Sequence, residues 1–135
     1  MIEQGIYQFL AANVAISAIV GTDVFEQAFP QDTDMPLVVF SSISSTPVNS
    51  LDGENGLQIR RFRFRSYDAT GRGARTLQNA VRSAFSAVAT GATFPDGSVL
   101  QAARIMLDID TPFEPGPGGT IYCSALDIEL SFVPS

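Results

Sequence analysis

At 135 residues, 45% hydrophobic and 16% charged, the chain suits one domain burying roughly 65–70% of its unfolded surface and is too apolar to be disordered. Its formal charge is −6 and all eight basic residues are arginine, which argues against a free-standing nucleic-acid binder with a basic footprint. The lack of histidine removes the commonest general base, most zinc sites and every Ser-His-Asp arrangement, and the single cysteine, Cys123, excludes an internal disulfide or a multi-thiolate metal site.

Ile2, Ile6, Phe9 and Leu10 recur at helical spacing and predict an amphipathic helix over about residues 2–12. Asn13 is placed to cap a second short helix carrying Val14, Ile16, Ile19 and Val20, with Gly21 as its stop. Val24-Phe25-Glu26 reads as a short strand and "FPQDTDMP" as a loop. "LVVFSSIS" (37–44) is a strand beginning after Pro36, and "TPVNSLDGENG" (46–56) a long hairpin connection with turn dipeptides Asp52-Gly53 and Asn55-Gly56. Residues 57–67 are the next strand.

"DATGRGA" leads into a helix with Ala74, Leu77, Ala80, Val81, Ala84, Phe85 and Val88 on one face. Arg75, Gln78, Asn79, Arg82 and Ser86 occupy the other face, and Gly91 is the expected end. "FPDGSV" makes a tight turn into the strand "VLQAARIMLDID". "TPFEPGPGGT" (111–120), with three prolines and three glycines, is a loop, and "IYCSALDIELSF" is the last strand. The order α-β-β-α-β-β predicts a single α+β domain over residues 1–135, with two helical regions on one face of a mostly antiparallel sheet of four main strands.

Half of the arginines fall in "RRFRFRSY" (60–67). Strand alternation sends Phe62 and Phe64 to the core and Arg61, Arg63 and Arg65 to the opposite face. Asp108 and Asp110, and Asp127 and Glu129, alternate with apolar residues in the last two strands. One sheet face would then carry all three arginines and all four carboxylates, paired across strands. Three readings are open: a charge-paired outer face, a subunit interface suited to arginine, or a strand that binds single-stranded nucleic acid through Phe62, Phe64 and the arginines.

Chemistry is sparse. No Walker, GxGxxG or GxSxG sequence occurs, and no glycine-bearing calcium loop surrounds the acids, so no metal or other cofactor is expected. Cys123 beside Tyr122, with no histidine to activate it, reads as a buried inert thiol. No residue set supports catalysis. No stretch approaches the ~20 apolar residues of a membrane span, and "MIEQGIYQFL" has an acid and no basic region, unlike a signal peptide.

Read whole, "VG-x-D-V-F" before a proline loop, "MPLVVFSSIS", Tyr67-Asp68 ending its strand, and the closing "GG-x-I-Y…LDIEL" resemble the tail-completion, or tail-terminator, proteins of long-tailed bacteriophages and prophage-like elements. The resemblance covers nearly the whole chain. It implies a non-enzymatic subunit of a ring, expected to be hexameric, that sits in the virion at the head-proximal end of the tail. That ring caps the tail tube, stops its polymerisation and presents a head-joining surface. Its partners would be further copies of itself, the tube protein and a head-completion or connector protein, with DNA only as passing cargo and assembly in the host cytoplasm. A stopper or adaptor of the head–tail connector is the neighbouring alternative. The two long connections, 46–56 and 111–120, are then candidate partner-docking loops through Asn49, Leu51, Asp52, Glu54, Phe113 and Glu114, with ordinary surface loops as the other possibility.

Overall fold

The computed structural model describes residues 2–21, 23–27, 36–50, 53–88, 92–116 and 119–133, giving backbone alone at 44–50, 53–57, 112–116 and 119–120. Helix α1 (Ile2–Ala12) turns Ile2, Ile6 and Leu10 inward at four-residue spacing. Asn13 then leaves helical geometry, and its Oδ1 accepts the Ile16 N–H at 3.1 Å to start α2 (Val14–Val20). Gly21 ends that helix at φ +63°, in the left-handed region where a side chain would be strained.

Five strands follow the order β1 (Val24–Glu26), β2 (Leu37–Ser50), β3 (Gly53–Asp68), β5 (Gly119–Val133), β4 (Val99–Gly116) across one sheet. β1 runs parallel to β2, and every other pairing is antiparallel. Between β3 and β4 lies α3 (Gly71–Ser86), where the Thr70 hydroxyl accepts the Gly73 N–H at 3.0 Å. The α+β class and the helix faces agree with the sequence. Helix α3, however, stops at Ser86 with Ala87 as its cap, and the expected terminator Gly91 lies outside the described residues. Phe94–Ser98 forms the anticipated turn, with Gly97 at φ +94° donating to the Phe94 carbonyl at 2.8 Å.

All three helices pack on one face. Ile6, Leu10 and Ile16 meet Val38, Phe40, Phe62, Phe64, Leu126, Ile128 and Leu130 from the sheet and Leu77, Val81 and Phe85 from α3. Phe64 lies 5.0 Å from Phe85 and 6.0 Å from Phe40, ring centre to ring centre. Rings this buried each contribute enough that truncation to alanine costs about 3–5 kcal/mol.

The described residues of the two long connections read as loops are strands instead. The β2–β3 ladder runs to Asn49↔Glu54 and Ser50↔Gly53, and the β4–β5 ladder to Glu114↔Ile121 and Gly116↔Gly119. Pro47, Pro112 and Pro115 are tolerated because distal β2 and β4 lie at sheet edges among the described residues, where a missing N–H need not break a ladder. Where no third strand among the described residues flanks them, the hairpins become two-stranded arms.

The arms point in opposite directions. β3 and β5 pair from Gln58↔Phe132 to Asp68↔Tyr122, so the β2–β3 arm projects past Gln58 at one end. The β4–β5 arm projects past Tyr122 at the other. With three to five residues per strand beyond the shared sheet, each arm reaches roughly 10–17 Å.

Candidate functional site

The face turned away from the helices is the candidate site. Phe62 and Phe64 are fully buried on the helix side, and Arg61, Arg63 and Arg65 alternate onto the open side as strand geometry requires. Asp127, opposite Arg63, binds two of the three. It accepts Arg61 Nε and Nη2 at 3.1 and 2.7 Å, and Arg63 Nε and Nη2 at 2.7 and 3.0 Å. The guanidinium groups cover the carboxylate so fully that its side chain has 0% exposure, while each arginine keeps about a third.

Burial alone pushes the Asp127 carboxyl up, but hydrogen bonds and charge from Arg63 and then Arg61 outweigh it and hold the group below the ordinary aspartate value. The same bond to Asp127 raises Arg63 against the opposing effect of burial. Glu129 stands opposite Arg61 and Arg104 in register but forms no ion pair among the described residues. Arg65, flanked by Val39 and Ala125, likewise has none among them.

Asp108 and Asp110 are not on this face. The β4–β5 register shifts between Ile105↔Ile128 and Leu107↔Asp127, leaving Met106 as an extra, bulged residue. That insertion reverses the alternation, so Leu107 and Ile109 turn to the open face and the two acids turn to the helices. There Arg75 Nη1 donates to Asp108 at 2.6 Å, Arg82 Nη1 at 2.5 Å and Gln78 Nε2 at 2.6 Å. Asp110 accepts from Arg75 Nη2 at 2.7 Å and from the Ser124 hydroxyl at 2.6 Å.

Burial again pushes Asp108 up, and the bonds from Arg75, Arg82 and Gln78 bring it below its ordinary value. Gln78, assigned by periodicity to the exposed side of the helix, is fully buried and also donates to the Ala125 carbonyl at 3.1 Å. Sequence reading missed Arg75, Gln78 and Arg82 as ligands of Asp108. Their i, i+3, i+7 spacing forms one polar stripe, and that was the available signal.

A third pair joins the first helix to the sheet. Arg60 faces the helix side, where Nη2 lies 2.5 Å from Glu3 Oε1 and the guanidinium carbon sits 4.8 Å from the Phe62 ring centre. Arg60, Arg75 and Arg82 are thus matched one for one by carboxylates of the chain, whereas Arg61 and Arg63 share Asp127 and keep one positive charge between them. These pairings reduce the positive surface available for phosphate contact, and the buried Phe62 and Phe64 offer no stacking platform.

Of the docking-loop residues, Leu51 and Asp52 lie outside the described residues, while Asn49, Glu54, Phe113 and Glu114 sit in the strands that form the arms. Cys123 is half-buried rather than buried. Among the described residues no group of three or more His, Cys, Asp or Glu is placed to hold a metal ion, and no helix is long and apolar enough to cross a membrane.

Comparison with known proteins agrees with the fold. Residues 4–109 match the family model described as tail completion protein gp17. Ten chains of solved structures match. One, from a structure described as "Virion of native gene transfer agent (GTA) particle", superposes with a TM-score of 0.67 at 16% identity, over 94% of this chain and 90% of that chain. At that identity the likeness is one of fold. No curated protein matches significantly.

Proposed function

Since this chain belongs to the tail completion protein gp17 family and is a structural protein of virion assembly, we propose that it works as a ring-forming tail terminator. In this reading the ring closes the tail tube, halts its growth and offers the head a joining surface, and the chain does no catalysis. The virion neighbour supports the setting, with the ring at the head-proximal tail end after assembly in the host cytoplasm.

The observation that carries this reading is the opposed pair of hairpin arms. A terminator must address the tube on one side and the head on the other, and arms leaving both ends of one rigid sheet supply a separate contact for each. The negative charge, with five of the eight arginines held in internal ion pairs, suits a ring that lets DNA pass without gripping it. The open sheet face, where Arg61 and Arg63 are already fixed by Asp127, suits a subunit interface: pre-ordered guanidinium groups lose little freedom on contact. Arg63→Glu should therefore weaken ring formation more than folding, and unchanged oligomers by native mass spectrometry would remove the face from the interface.

The functional test adds purified protein to polymerising tail-tube protein and measures tube lengths by electron microscopy. Shortened tubes capped at one end are expected. Unchanged tubes, with binding instead to the portal-side connector, would make the chain an adaptor.

A further inference from the structure

The sheet has two open edges among the described residues. Beyond Val99 and Leu100, which Thr93 and Ala92 cover, β4 pairs only with β5, and on the far side β1 covers only residues 38–40 of β2, so residues 41–50 have no neighbour there. Unpaired edges present rows of N–H and C=O groups that template further strand pairing. Each edge also carries a bulge with an exposed apolar residue. Ile43, 42% exposed, sits where the β2 register shifts between Ser42 and Ser44, and Met106, 36% exposed, where β4 shifts between Ile105 and Leu107.

The two bulges share a height. Ser42, Phe62, Ile128 and Ile105 form one row across the sheet, and Ile43 and Met106 each lie one residue from it. Each bulged residue lies between that row and the next, Ile43 toward Ser44 and Met106 toward Leu107, so their vertical offset is about one residue rise, roughly 3 Å. Charge is complementary as well: exposed Glu26 lies on the β1 side and exposed Arg104 on β4, neither in an ion pair among the described residues.

We propose that the occupant of each edge is a second copy of this chain: residues 101–106 of β4 of one subunit add to residues 41–46 of β2 of the next, short of the rows that β1 covers, with Met106 packed beside Ile43. Because β2 and β4 run in opposite directions, the junction is antiparallel when subunits are related by rotation about the strand axis. The contact is head-to-tail, so it repeats until the rotation closes. It also sends every β2–β3 arm to one end of the assembly and every β4–β5 arm to the other. The proposal takes closure into a ring from the functional reading, but the edge contact is measurable separately.

The test uses full-length protein with Cys123→Ala, carrying Ile43→Cys or Met106→Cys, and a short bismaleimide cross-linker. Mixing the two single variants should give covalent dimers that neither gives alone, and a chain carrying both changes should give a ladder of oligomers. Met106→Glu in the natural sequence should raise the assembly concentration roughly tenfold or more, with circular dichroism unchanged. Dimers from either variant alone would indicate a two-fold contact and overturn the proposal, as would a mixture yielding no covalent product. Rings seen by electron microscopy in that unlinked mixture would refute the edge contact while leaving the terminator reading intact.

Discussion

Asp127 and Asp108 are each bound by two arginines, yet they do different work. Asp127 lies inside the sheet, fully covered, and ties neighbouring positions of β3 to β5. Asp108 keeps 14% side-chain exposure at the edge strand and ties β4 to α3 through Arg75, Arg82 and Gln78. The first cluster braces a surface; the second fastens a helix to an otherwise open edge. A single inserted residue, Met106, separates the two roles by turning Asp108 to the helix face while Asp127 stays on the open one.

Breaking the buried cluster should have the largest effect. Asp127→Ala leaves two arginines facing each other without their shared carboxylate and should cost about 3 kcal/mol in urea denaturation, the lower end for buried pairs because the arginines are partly wet. A loss under ~1 kcal/mol would mean the carboxylate is less desolvated than its 0% exposure implies. Asp108→Ala should cost less, about 1–2 kcal/mol, since water can reach its partners, and hydrogen exchange should quicken in α3 before the β3–β5 ladder.

Acid sharpens the comparison further. Asp127 and Asp108 have folded-state values below their unfolded ones, so the unfolded chain binds more protons in between. Their contribution is fully present above the unfolded aspartate value of ~3.9 and is lost as pH falls through the depressed folded values. Stability should hold from neutrality to about pH 4 and then drop, and Asp127→Ala should flatten that drop more than Asp108→Ala. An equal slope in the natural chain and Asp127→Ala would contradict the paired state. Smallest of all, Arg65→Ala should change stability by no more than ~0.5 kcal/mol, because its guanidinium holds no carboxylate among the described residues.

What could be read in advance follows from locality. Phe62 and Phe64 alternating with arginines, the Leu77–Val81–Phe85 stripe and the Asn13 cap are all patterns within one segment, and they stand in the structure. The Met106 bulge is a property of pairing between strands and leaves no local mark, so Asp108 and Asp110 were put on the wrong face. Gln78 looked exposed because its burial depends on Asp108 arriving from β4. The arms passed for loops because a ribbon without a core face needs no apolar alternation, and because 46–56 carries two turn dipeptides while proline and glycine dominate 111–120.

The central claim is that this chain ends tail growth, and the most direct measurement is the length distribution of tails assembled with the protein omitted and then restored. The account expects overlong, headless tubes in its absence and uniform, head-joined tails once it is supplied. Uniform tails already joined to heads without it would contradict the claim.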